Sequence, residues 1–174
     1  MKPLVIYFSF SGNNRLLAEH LAARIGCDIC AVVEKKHRTM LTVLLDMMFK
    51  REPKIEALEH SPLNYDHVIL VAPIWDSKLA NPTKTLVKSE RPALSDYSFI
   101  SLCGYERSGQ KESITKELSA LAGHPPKAEA ELRISDLLPP EKRKDVKTIS
   151  RYRATREDLN LFEPQIDAFL KLIL

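Results

Sequence analysis

Apolar residues in this chain fall into two alternating patterns, short unbroken runs and series spaced by four. The first run is Leu4, Val5, Ile6, Tyr7 and Phe8, and Leu17, Leu21 and Ile25 follow at helical spacing. Runs over 29–33, 67–72, 98–102 and 130–134 have the length and the β-branched or aromatic content of buried strands. Between them lie a helix over 82–90, with Pro82 in its permitted first turn, and a second helix marked by Ile114, Leu118, Leu121 and Ala122. Gly26 and Gly123 stand where helix caps are expected, and Phe162, Ile166, Phe169, Leu170 and Ile173 share one face of a final helix. Residues 40–49 are apolar nearly all round, which predicts a helix buried against the sheet, with an exposed dimer or partner surface as the alternative. Five strands alternating with helices predict one domain over 1–174, an α/β doubly wound parallel sheet with helices on both faces.

In such a sheet a ligand lies across the carboxyl ends of the strands, where the strand order reverses. The loops after the first, third and fourth strands should then carry the unusual residues. Of five glycines, two end helices, while Gly12, Gly104 and Gly109 fall in the loops after the first and fourth strands. After the first strand, Ser9, Ser11, Gly12, Asn13 and Asn14 surround Phe10 and lead directly into a helix. Hydroxyls, amides and the positive end of a helix dipole converge there, as in a phosphate socket. The loop has neither the lysine and hydroxyl of a P-loop nor the spaced glycines of a dinucleotide fingerprint, so a terminal phosphomonoester suits it better.

The stretch Ser9-Phe10-Ser11-Gly12-Asn13-Asn14 resembles the FMN-phosphate loop of the flavodoxin family, with serine for threonine at 11 and asparagine for threonine at 14. Both replacements keep donor capacity. The resemblance extends to two further loops. Pro73, Ile74, Trp75 and Asp76 follow the third strand and hold the chain's single tryptophan; Cys103, Gly104, Tyr105 and Gly109 follow the fourth. Both loops look like those that hold the flavin ring in flavodoxins, with Trp75 and Tyr105 as the aromatic walls. The resemblance implies a five-stranded sheet of order 2-1-3-4-5 and FMN as cofactor.

Two departures bear on function. Asp76 follows the ring-contacting Trp75 where flavodoxins commonly have glycine, and a carboxylate there disfavours negative charge on a reduced flavin. Electron-carrying flavodoxins are also typically acidic, whereas this chain carries +3. Six basic residues face two acidic ones over 35–54, and seven face two over 140–156. These charges would attract NAD(P)H phosphates, an anionic membrane or an acidic partner. The leading expectation is therefore a small NAD(P)H-dependent oxidoreductase of the quinone or FMN reductase type, acting through bound FMN. A one-electron flavodoxin serving a redox partner protein is the alternative, and a binding protein that keeps the fold without FMN is a third. No acid, base or nucleophile stands out; Asp76, Tyr105, Glu106 and Arg107 are candidates for substrate contact.

An apolar content of 44% and charged content of 28% suit a globular protein. No stretch is long enough for an integral membrane segment, and three cysteines without a secretory signal predict reduced thiols in a cytoplasmic protein. Cys27 and Cys30 follow a helix cap and enter a strand, which suits packing rather than a redox or metal pair. A receiver-type phosphorylation domain is a poor match, because Ala72-Pro73 and Ser9 stand where its acidic residues are needed. The basic runs lack interleaved aromatics, so no nucleic-acid partner is expected.

Overall fold

A computed structural model describes residues 1–35, 52–105 and 107–174; the apolar segment 40–49, and with it the expected buried helix or dimer surface, lies outside the described residues, as does Glu106. Five parallel strands form the sheet: β1 (Pro3–Tyr7), β2 (Asp28–Ala31), β3 (His67–Val71), β6 (Tyr97–Cys103) and β7 (Glu129–Arg133), in the order β2-β1-β3-β6-β7. This is the expected 2-1-3-4-5 arrangement once a small antiparallel hairpin, β4 (Ile74–Trp75) with β5 (Lys78–Leu79), is set aside. The helices are α1 (Asn13–Ile25), α2 (Asn81–Ser89), α3 (Gln110–Ala122), α4 (Val146–Arg151), α5 (Arg156–Asn160) and α6 (Glu163–Ile173).

Burial explains which runs of sequence are unbroken. The central strands β3 and β6 are buried at every position and β1 at all but Tyr7, because helices cover both faces. The edge strands β2 and β7 are only half-buried, and β7 accordingly tolerates Glu129, Glu131 and Arg133. Alternate residues feed two cores. Val5, Ile69, Ile100 and Leu132 pack with Leu17 and Leu21 of α1 and with Phe162, Ile166 and Phe169, the predicted face of the final helix. Leu4, Ile6, Leu70 and Phe99 pack on the other side with Leu86 of α2 and with Ile114 and Leu118 of α3.

Among the local elements not expected from the sequence are five near the carboxyl edge and beyond β7: the β4–β5 hairpin, the 3-10 turns over 134–137 and 140–142, and the short helices α4 and α5. Their apolar patterns are too short to reveal a period. Their capping residues, however, are explicit: Asp145 accepts the N–H groups of Lys147 and Thr148, and Thr155 with Asp158 forms a capping box.

Where the sheet meets its loops, two side-chain amides replace missing strand partners. Leu102 lies beyond the last β3–β6 pair, Val71 with Ile100, so its backbone faces a place that no strand occupies. Asn14, on the first turn of α1, fills it: Leu102 N–H donates to Asn14 Oδ1 at 2.9 Å and Asn14 Nδ2 donates to Leu102 O at 3.1 Å. Asn13 does the same for the chain beyond α4, donating to Tyr152 O and accepting from Ala154 N–H, each at 3.0 Å. Both asparagines are buried, so an unpaired partner has no water to turn to. The variant Asn14→Ala should lose about 2–4 kcal/mol of stability. At this chain length that corresponds to a fall in Tm of about 5–15 °C, measurable by calorimetry; a fall below 2 °C would contradict the assignment.

Candidate functional site

The loops after β1, β3 and β6 meet at the carboxyl edge of the sheet, where the order reverses between β1 and β3. They line one cleft of about 370 Å³, within the range typical of small-molecule sites (about 300–1,000 Å³). Phe10, Ser11, Asn13 and Asn14 contribute from the first loop, and Pro73, Ile74, Trp75 and Asp76 from the second. Cys103, Gly104 and Tyr105 contribute from the third. Thus eleven of the fourteen candidate binding residues come together; Ser9, Gly12 and Gly109 do not line the cleft.

Those three shape the loops instead. Gly12 sits at φ +95° ahead of α1, a conformation that side chains resist, and its N–H donates to Ser9 Oγ at 3.1 Å. Ser11 Oγ accepts from Asn13 N–H at 3.5 Å. Gly109 performs the matching turn into α3 at φ +72°. The Asn13 and Asn14 amides, expected as phosphate donors, are occupied by backbone partners. That leaves, toward the cleft, the Ser11 hydroxyl and the backbone N–H groups of the first turn of α1 beyond Asn13, which have no partner within the helix.

The aromatic residues form a connected wall. Trp75 meets Phe8 edge-on at 6.0 Å and Phe10 at 6.2 Å between ring centres. Trp75 is half-buried and Phe10 is 42% exposed. Beyond Trp75 the hairpin turns through Asp76 (φ +50°) and Ser77 (φ +57°), the double positive φ of a type I′ turn. Aspartate tolerates this conformation better than most residues. Helix α3 holds the turn: Ser113 Oγ donates to Ser77 O at 3.0 Å, and Leu79 N–H donates to Glu117 Oε2 at 2.7 Å.

Arg107 ties the second and third loops together. Its guanidinium pairs with the Asp76 carboxylate and donates to Tyr105 Oη at 2.8 Å, with Cζ 5.2 Å from the Tyr105 ring centre. The Asp76 charge is therefore met by a cation at the cleft, which offsets the repulsion toward a reduced flavin expected from the sequence.

The fourth wall comes from a segment the sequence reading treated only as a charge run. Val146, Ile149 and Ser150 of α4, with Ile134, line the cleft beside Gly104. Gly104 eases this approach: a Cβ there would come within 3.2 Å of Ile149 Cγ2 and push it back slightly. The helical spacing of Val146, Ile149 and Ser150, together with the Asp145 cap, was the available signal.

Strand order and cleft position together define the architecture. The fold is that of the flavodoxin-like proteins. No protein-family model matches the chain, and no curated protein matches it. Among solved structures it is similar to a flavoprotein from Lactobacillus acidophilus NCFM crystallised in complex with FMN, with a TM-score of 0.63 and 19% identity. That match covers 75% of this chain and 93% of that one. It is also similar to a protein from Bacteroides uniformis ATCC 8492 assigned as a flavoprotein, with a TM-score of 0.64 and 19% identity over 83% and 96% of the two chains. A Bacteroides eggerthii DSM 20697 protein of the same assignment gives 0.62 and 21% over 86% and 98%. At these identities the likeness is one of fold.

Within this flavodoxin-like chain the thiols have no redox arrangement: Cys27, Cys30 and Cys103 are all unpaired. Among the described residues no group of histidines, cysteines and carboxylates could hold a metal ion, and no helix is long and apolar enough to cross a membrane. Burial pushes the Cys103 thiol, at the cleft wall, up to about 12 from an ordinary 9.0. At pH 8 its thiolate fraction should be about a thousandfold below that of an exposed cysteine. Labelling of the native protein with a thiol reagent should therefore spare Cys103 until denaturant is added; fast native labelling at Cys103, located by peptide mapping, would contradict its burial.

Proposed function

We propose that this chain is an FMN-dependent electron-transfer protein. The carrying observation is that three loops leaving adjacent strands line one cleft, each supplying an aromatic side chain, and that the first of them opens a helix. The cofactor seen in the Lactobacillus acidophilus flavoprotein of the same fold supports the choice of ligand. When bound, FMN supplies reversible uptake of one or two electrons, and the protein provides orientation and electrostatics.

In this reading the turn over 9–14 would hold the phosphate through the Ser11 hydroxyl and the backbone N–H groups of the first turn of α1, with Ser9 bracing the turn. Trp75 and Tyr105, both lining the cleft, would be the aromatic contacts of the isoalloxazine, and Leu102, Ile134 and Ile149 would keep that part of the cleft apolar. Arg107 fixes Tyr105 and neutralises Asp76, so that the loop beside the ring does not repel added electrons. Exposed apolar groups at the cleft mouth, Phe10 and Val146, suit electron exchange with a protein partner seated there. The geometry thus supports the carrier above the NAD(P)H oxidoreductase that led from the sequence. The oxidoreductase stays as the second reading, supported by the positive charge, which attracts nucleotide phosphates.

Titration of the apoprotein with FMN tests the reading. Trp75, the sole tryptophan, should be quenched in step with appearance of a bound-flavin spectrum, and Trp75→Ala should weaken FMN binding about tenfold, near the stacking contribution of about 1 kcal/mol. Absence of any uptake would leave only a fold kept without its cofactor. Under anaerobic conditions NADPH alone should reduce the bound flavin slowly; bleaching within seconds would move the assignment to the oxidoreductase.

A further inference from the structure

The segment over 140–156 does two things at once. Its inner side supplies Val146, Ile149 and Ser150 to the cleft. Its outer side is a dense band of positive charge: Lys142, Arg143, Lys144, Lys147, Arg151, Arg153 and Arg156 are all exposed, against Glu141 and Asp145. Asp145 keeps its charge as the cap of α4, accepting from the N–H groups of Lys147 and Thr148 and from the Thr148 hydroxyl, so seven cations face two carboxylates along the segment. The band is fixed in place. Asn13 clamps it through Tyr152 and Ala154 to the first turn of α1, and Ile149 is buried against Gly104.

We propose that this band is the docking surface for an acidic redox protein, which it brings against the mouth of the cleft; the word redox rests on the FMN reading above. Three observations favour a protein over the other anions. Seven cations distributed along seventeen residues match an extended acidic surface rather than the few phosphates of one nucleotide. Exposed apolar groups stand at the cleft mouth beside the band, Val146 at 57% and Phe10 at 42%, and so form an apolar centre with a charged rim, the usual anatomy of a protein interface. For a membrane surface the local helix is too short: α4 has six residues and one exposed apolar side chain, far from an amphipathic anchor. The polarity is the reverse of that of the acidic shuttles, so the partner's must be reversed as well.

The experiment uses the full-length protein loaded with FMN and an acidic [2Fe–2S] ferredoxin as probe, with binding followed by surface plasmon resonance. FMN uptake is measured separately by absorption. The ferredoxin should bind with micromolar affinity at low salt and weaken more than tenfold between 20 and 200 mM salt. The double variant Lys147→Glu, Arg151→Glu should weaken it at least tenfold, and the pair Lys142→Glu, Lys144→Glu should do likewise if the first is unstable. Neither pair lines the cleft, so FMN affinity should stay within twofold. The proposal is overturned if ferredoxin does not bind or binds the variants equally well. It is equally overturned if the substitutions abolish binding of NADPH or of phosphatidylserine vesicles while ferredoxin is ignored. Loss of FMN uptake with ferredoxin docking intact would instead overturn the cofactor reading and leave the surface standing.

Discussion

The site depends on two buried amide groups more than on any residue that faces the ligand space. Asn13 and Asn14 open α1, and each offers its C=O and NH₂ as a surrogate peptide to a backbone that has run out of neighbours. Asn14 sets the height of α1 over the end of β6, and so the distance between the first and third loops. Asn13 sets the position of the segment beyond α4 relative to the same turn. A helix N-terminus, a strand end and a crossing segment are thereby brought into one register, and the cleft is the space they leave.

This arrangement separates support from chemistry. Groups that look like ligands in the sequence, the asparagine amides and the Gly12 N–H, are consumed internally, while the backbone N–H groups of the first turn of α1 beyond Asn13 remain available for an anion. The rim follows the same logic. Asp76 is a lone carboxylate in the sequence but half of an ion pair in the fold, and Arg107 orients Tyr105 as it balances that charge. Electrostatic expectations drawn from a single residue fail where the counter-charge arrives from another loop.

What could be read from the sequence was what repeats or what is scarce. β1, β3 and β6 were visible because strands covered on both faces must be apolar throughout, and α6 because its core face recurs through Phe162, Ile166, Phe169 and Ile173. The cleft was visible because glycine and tryptophan are rare here and gather at one edge of the sheet. The β4–β5 hairpin was not: two residues per strand carry no period, and its turn uses Asp76 and Ser77 instead of the glycine that marks such turns. Helix α4 was hidden by its own charge, since the three residues that face the cleft are outnumbered by lysines and arginines around them. The pairing of Asn14 with Leu102 joins residues 88 apart, and no local pattern announces it.

The turn at Asp76 and Ser77 carries a further consequence. Both residues hold a backbone conformation that neither prefers, and the turn is pinned by Arg107 at one end, Ser113 in the middle and Glu117 at the other. These contacts restrain the loop at three points. A group resting against Trp75 would meet a surface held from three sides, so a change of shape there would fall more to the guest than to the host.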